Sequence, residues 1–123
     1  MWEKFIEDWK EKAKECVCGD HRRHGMTNTE LYHLALSTYG AEAQTLMVME
    51  EMSELQKELC KHARGKDNQL SIAEEIADVL IMLDQMMILH DCESIVAQYK
   101  QEKLERLENR IVNIHDGEGG QHE

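Results

Sequence analysis

The chain has 123 residues, enough for one hydrophobic core of ordinary size and too few for two. Its 25 acidic residues against 14 Lys and Arg leave a formal net charge of -11, which repels a phosphate backbone and argues against a nucleic-acid partner. No run approaches the roughly 18 apolar residues that a membrane span requires, and the first residues, Met1 to Asp8, carry acids where a signal peptide needs basic then apolar residues. The sequence therefore predicts a cytoplasmic protein with no membrane partner. Cys16, Cys18, Cys60 and Cys92 are too few and too scattered to staple a chain that can build its own core, so they read as reduced thiols. With no proline, seven glycines and 32% charged residues, the composition predicts an all-α fold, an antiparallel bundle of four to five helices.

Trp2, Phe5, Ile6 and Trp9 recur at helical spacing and predict a short amphipathic helix that gives way to a polar connector ending at Gly25. Residues 1–25 thus read as an extension ahead of a helical domain over 26–115. Thr27-Asn28-Thr29-Glu30 has the capping-box pattern and opens a helix that ends near Tyr39-Gly40. The next helix keeps Val48, Met52, Leu55 and Leu59 inward and stops at Arg64-Gly65, where glycine takes a left-handed conformation. Ser71-Ile72-Ala73-Glu74 reads as a further capping box, opening a helix with Ile72, Ile76, Val79, Leu83 and Met87 on one face. A last helix from about Glu93 to Asn113 carries Leu104, Leu107, Ile111 and Ile114 inward, and residues 116–123 read as a disordered tail.

Four acids stand out against this pattern. Glu51 and Glu54 lie three apart, as do Glu75 and Asp78, so each pair projects from one helix face with Cβ atoms about 5–6 Å apart. Each acid precedes an expected core position by one residue, which places all four at the border of the core, and Met47 and Met82 extend the two stripes into apolar surroundings. A single Glu-x-x-Glu on a surface helix is ordinarily a solvated face. Two such pairs on helices joined by a short loop differ, because antiparallel neighbours pack about 8–10 Å apart and facing carboxylates repel unless a cation lies between them. Hard oxygen ligands in that arrangement suit magnesium, with manganese as a substitute. Glu50 and Glu74 adjoin the set and read either as supporting bases or as solvent-facing residues.

Lys103, Arg106 and Arg110 recur along the last helix and would complement a polyphosphate held by such an ion; alternatively they pair with Glu102, Glu105 and Glu108 on the same helix. Other readings compete. A di-iron carboxylate bundle wants two Glu-x-x-His pairs, and the chain has one, Glu30-x-x-His33. His90-Asp91 and His115-Asp116 repeat a dipeptide used by another class of helical phosphohydrolases. Cys16, Cys18, His21 and His24 offer four zinc-type ligands within nine residues, at a spacing tighter than zinc knuckles use. A non-catalytic dimerisation module, its acids serving only solubility, is the alternative outside enzymology.

Glu50-Glu51-Met52-Ser53-Glu54, then twenty residues, then Glu75-Ile76-Ala77-Asp78 resembles the EExxE…ExxD signature of the MazG-like, all-α nucleoside triphosphate pyrophosphohydrolases. Tyr39-Gly40 and Gln44 ahead of the motif and Lys103-Leu104-Glu105-Arg106-Leu107 behind it are similar too, so the resemblance spans about residues 29–114, and it is nearest to the small single-domain members of phages and bacteria. It implies magnesium-dependent cleavage of a (deoxy)nucleoside triphosphate between the α and β phosphates, giving a monophosphate and pyrophosphate in nucleotide-pool house-cleaning. It further implies that Glu51, Glu54, Glu75 and Asp78 are metal ligands and catalytic residues, that Lys103, Arg106 and Arg110 bind phosphate, and that the chain forms a homodimer or homotetramer. Tyr39, Gln44, Met47 and Met82 either line the nucleotide pocket or belong to the core.

Overall fold

The computed structural model describes residues 25–120, all of whose regular structure is helical. The expected amino-terminal helix and the Cys16, Cys18, His21 and His24 cluster lie outside the described residues. Four helices follow in order: α1 (Asn28–Tyr39), α2 (Ala41–Ala63), α3 (Gln69–Leu89) and α4 (Glu93–Gly120). The chain divides into two compact units, one ending at Leu89 and the other beginning at His90. No helix among the described residues is long and apolar enough to cross a membrane.

Helix α1 starts as the sequence predicts. Thr27 Oγ1 accepts the Glu30 N–H at 3.1 Å, and Glu30 Oε2 accepts the Thr27 N–H at 3.0 Å, so two donors at the helix start find a hydroxyl and a carboxylate. A single residue then joins α1 to α2. Gly40 donates to Leu36 O at 2.9 Å and accepts from the Gln44 N–H at 3.1 Å while its φ is 93°, a backbone turn that a side chain at this position would strain. Gly65 ends α2 in the same region of φ: its N–H reaches His62 O at 2.9 Å and the Lys66 N–H reaches Lys61 O at 3.1 Å, the paired bonds of a Schellman motif.

The start of α3 differs from the sequence reading. The helix begins at Gln69, two residues before Ser71, and its first bond runs from the Ile72 N–H to Asn68 O at 3.0 Å. Ser71 is therefore inside the first turn. Asn68 uses its side chain for another purpose, donating from Nδ2 to Glu58 O at 2.9 Å and Glu58 Oε1 at 3.0 Å, so the loop is tied back onto α2. Lys61 Nζ lies 3.1 Å from Glu58 Oε2 in the same group.

Helices α2 and α3 form an antiparallel hairpin, and its seam is the core of the first unit. Among the described residues the buried apolar side chains are Met47, Val48, Val79 and Met82, and Met86 packs against the cluster of Met47, Val48 and Met82. Val48 and Val79 are buried as expected, but Met52, Leu59, Ile76 and Leu83 are 51%, 48%, 42% and 40% exposed, and the positions just before these four turn into the seam instead. Helix α1 adds a tie from Tyr32 Oη to Asp84 Oδ2 at 3.2 Å on α3. In the second unit, α4 continues seven residues past the expected end at Asn113, so residues 116–120 of the expected tail are helical. Leu104, Leu107, Ile111 and Ile114 lie along it half exposed.

Candidate metal centre

Along α2 the seam-facing side chains run Gln44, Met47, Glu51, Glu54, and along α3 they run Glu75, Asp78, Met82, Gln85, the same steps of three, four and three read from opposite ends. Antiparallel packing therefore sets like against like. Gln44 bonds to Gln85, Met47 packs with Met82, and the carboxylates of Glu51, Glu75 and Asp78 converge, with one oxygen from each lying within 4.8 Å of the other two. The acids do not border the core; they continue its seam. Glu51 is buried, while Glu75 and Asp78 are half-buried.

Electrostatics follow from that placement. Burial, then the charges of Asp78, Glu75, Glu54 and Glu50, raises Glu51 from 4.5 to about 7. Burial, then Asp78, Glu54, Glu74 and Glu58, also raises Glu75. In the ion-free cluster a proton on Glu51 reduces the repulsion among the three carboxylates. Glu58, at the loop end of the seam, moves the other way: its hydrogen bond from Asn68 and then that from Lys61 hold it below the usual carboxylate range.

Three of the four expected ligands are therefore brought together. Glu54 stands one turn beyond Glu51, half-buried on the same seam and close enough for its charge to raise both Glu51 and Glu75, but its oxygens are outside the group of three. The donor set suits a hard divalent cation. Carboxylate oxygens around magnesium lie about 2.1 Å from the ion and hence up to about 4.2 Å from one another, so small side-chain rotations would close this cluster on a single ion. Two to three protein oxygens leave coordination positions for water and phosphate oxygens.

Gln44, a candidate for contact with substrate, is completely buried, its Nε2 donating to Gln85 Oε1. Its partner Gln85 carries no motif and was not singled out by the sequence; the signal was the spacing, which reaches Gln44 and Gln85 when the stripes through Met47 and Met82 are continued by one step. Lys103, Arg106 and Arg110 all lie exposed on α4, in the second unit. Cys60 and Cys92 are free thiols. Compared with protein-family models, with curated proteins and with solved structures, the chain finds no match.

Proposed function

We propose that the protein is a magnesium-dependent nucleoside triphosphate pyrophosphohydrolase that converts a (deoxy)nucleoside triphosphate to the monophosphate and pyrophosphate. The observation that carries this reading is the convergence of Glu51, Glu75 and Asp78 from two helices, on a seam whose neighbouring layer is Met47, Val48 and Met82. The charges gathered there, with burial, raise Glu51 and Glu75 and weaken the fold unless a cation joins them, which is a costly arrangement for a solvated face but an ordinary one for an ion site. The resemblance of Glu50-Glu51-Met52-Ser53-Glu54 and Glu75-Ile76-Ala77-Asp78 to the MazG-like signature supplies the reaction class.

In this reading Glu51, Glu75 and Asp78 would hold the ion, with Glu54 one turn beyond Glu51 on the same seam as the fourth candidate ligand. The bound ion supplies Lewis-acid polarisation of the phosphate oxygens. The chain itself contributes position and charge. An ion would hold Glu51 as the carboxylate, and Met47 and Met82 keep water from one side of the cluster. The apolar flank formed by Met52, Leu59, Ile76 and Leu83 supports assembly as a homodimer or homotetramer.

Incubation with a panel of ribo- and deoxyribonucleoside triphosphates, with magnesium and with chelator, tests the proposal. Magnesium-dependent release of pyrophosphate and a monophosphate is the expected result. Release of orthophosphate alone, or no turnover of any triphosphate, would overturn it.

A further inference from the structure

We propose that the Gln44–Gln85 amide pair is a positioning device, which fixes the register of α2 against α3 and so holds Glu51, Glu75 and Asp78 together. Both side chains are buried, Gln44 completely and Gln85 to within 4% exposure, in a layer directly above Met47 and Met82. As packing they are a poor choice. Gln44 Oε1 is buried without a hydrogen-bond partner, and the Nε2 of Gln85 is spent on the thioether sulfur of Met82 at 3.7 Å. Two apolar side chains of similar volume would fill the layer with no polar atom left over.

What the pair provides is discrimination between registers. The apolar layer beneath it is made of Met47, Val48 and Met82 with Met86 alongside, and unbranched thioether side chains repack readily when helices slide. The acids below that layer repel one another and favour any slip that separates them. A slip of one turn, about 5.4 Å, would set Gln44 against Met82 or Leu89 and Gln85 against Ala41 or Val48, stranding both amides against hydrocarbon, and in one direction would also press Glu51 onto Met82. Only the observed register gives the Gln44 Nε2 its acceptor. At the other end of the hairpin, Asn68 ties the loop to Glu58, so the repelling acids are bracketed by two polar ties. A buried polar pair that specifies register at a cost in stability has the same logic as a polar residue in a helical seam elsewhere.

The register claim is independent of what the acids bind; its consequence for an ion rests on the pyrophosphohydrolase reading. The test uses the full chain with its cysteines replaced and spin labels at exposed Lys57 on α2 and Glu74 on α3, diluted with unlabelled chain, in the parent and in Q44M/Q85M. Pulsed electron resonance should give the parent one narrow distance and the variant a broadened or second population displaced by up to about one helical turn. Manganese binding by calorimetry should weaken at least tenfold in the variant, with no loss of melting temperature. An unchanged distance together with unchanged manganese affinity would overturn the inference. If the parent takes up no manganese, the metal reading fails and the distance distribution alone decides the register. Should Q44M/Q85M not fold, Q85M alone is read in the same way.

Discussion

Glu51 is the residue on which the chemistry and the stability of the site meet. Its pKa of about 7 lies above the 4.5 of an unfolded chain, so the folded state binds its proton more tightly. Its contribution to stability is present in full below about pH 4.5 and is lost as pH rises through about 7. Ion-free protein should therefore melt at a lower temperature at pH 8 than at pH 5.5. Glu51→Gln should flatten this dependence and raise the melting point at pH 8, on a scale of about 4–8 °C for each kcal/mol in a domain of this size. Thermal melts in chelator at the two pH values check this, and a variant whose pH dependence equals that of the parent would place the shift elsewhere. Asp78 tests the reaction itself. Asp78→Asn removes one charge from the three converging oxygens and should lower pyrophosphate release by at least about 100-fold. Its helical circular dichroism should match that of the parent, which separates a lost site from a lost fold.

Helix α2, helix α3 and the five residues between them decide whether those acids meet. Asn68 is the link that makes the loop a fixed connection, because its Nδ2 donates to both Glu58 O and Glu58 Oε1. Asn68→Ala would leave Glu58 O without its loop donor and should lower stability by about 1–3 kcal/mol, read as a fall in the denaturation midpoint with an unchanged slope. The helices and their ends were largely legible in the sequence: the Thr27–Glu30 box, the break at Gly40 and the left-handed Gly65 each follow from local chemistry that the rest of the fold does not override. Helix phase was less legible. The hairpin offers more apolar positions than its seam can bury, so a stripe through Met52, Leu59, Ile76 and Leu83 satisfies the periodicity as well as the stripe that the fold uses. The true seam carries Gln44, Glu51 and Gln85, polar residues that a hydrophobic pattern excludes by construction. The start of α3 was missed for a related reason, since Asn68 stabilises its loop through Glu58, ten residues away, instead of through a local cap.

For the molecule as a whole, the site is acidic within a chain whose net charge is already -11, and among the described residues the core of the first unit is only a few side chains deep. That combination leaves little margin for a lone hairpin. Met52, Leu59, Ile76 and Leu83 each follow a seam residue by one position, namely Glu51, Glu58, Glu75 and Met82. In an antiparallel pair, positions that follow the seam on both helices lie on the same side, so these four exposed side chains make one continuous apolar flank beside the acids. Burying it against a second copy adds apolar area without adding charge at the contact, which is what the proposed homodimer or homotetramer requires. Ile76→Glu and Leu83→Glu place charge on that flank without touching the converging oxygens and should weaken self-association at least about 100-fold each. Sedimentation equilibrium over a wide concentration range measures this directly. A parent chain that stays monomeric throughout, or variants that associate as the parent does, would remove this flank as the contact.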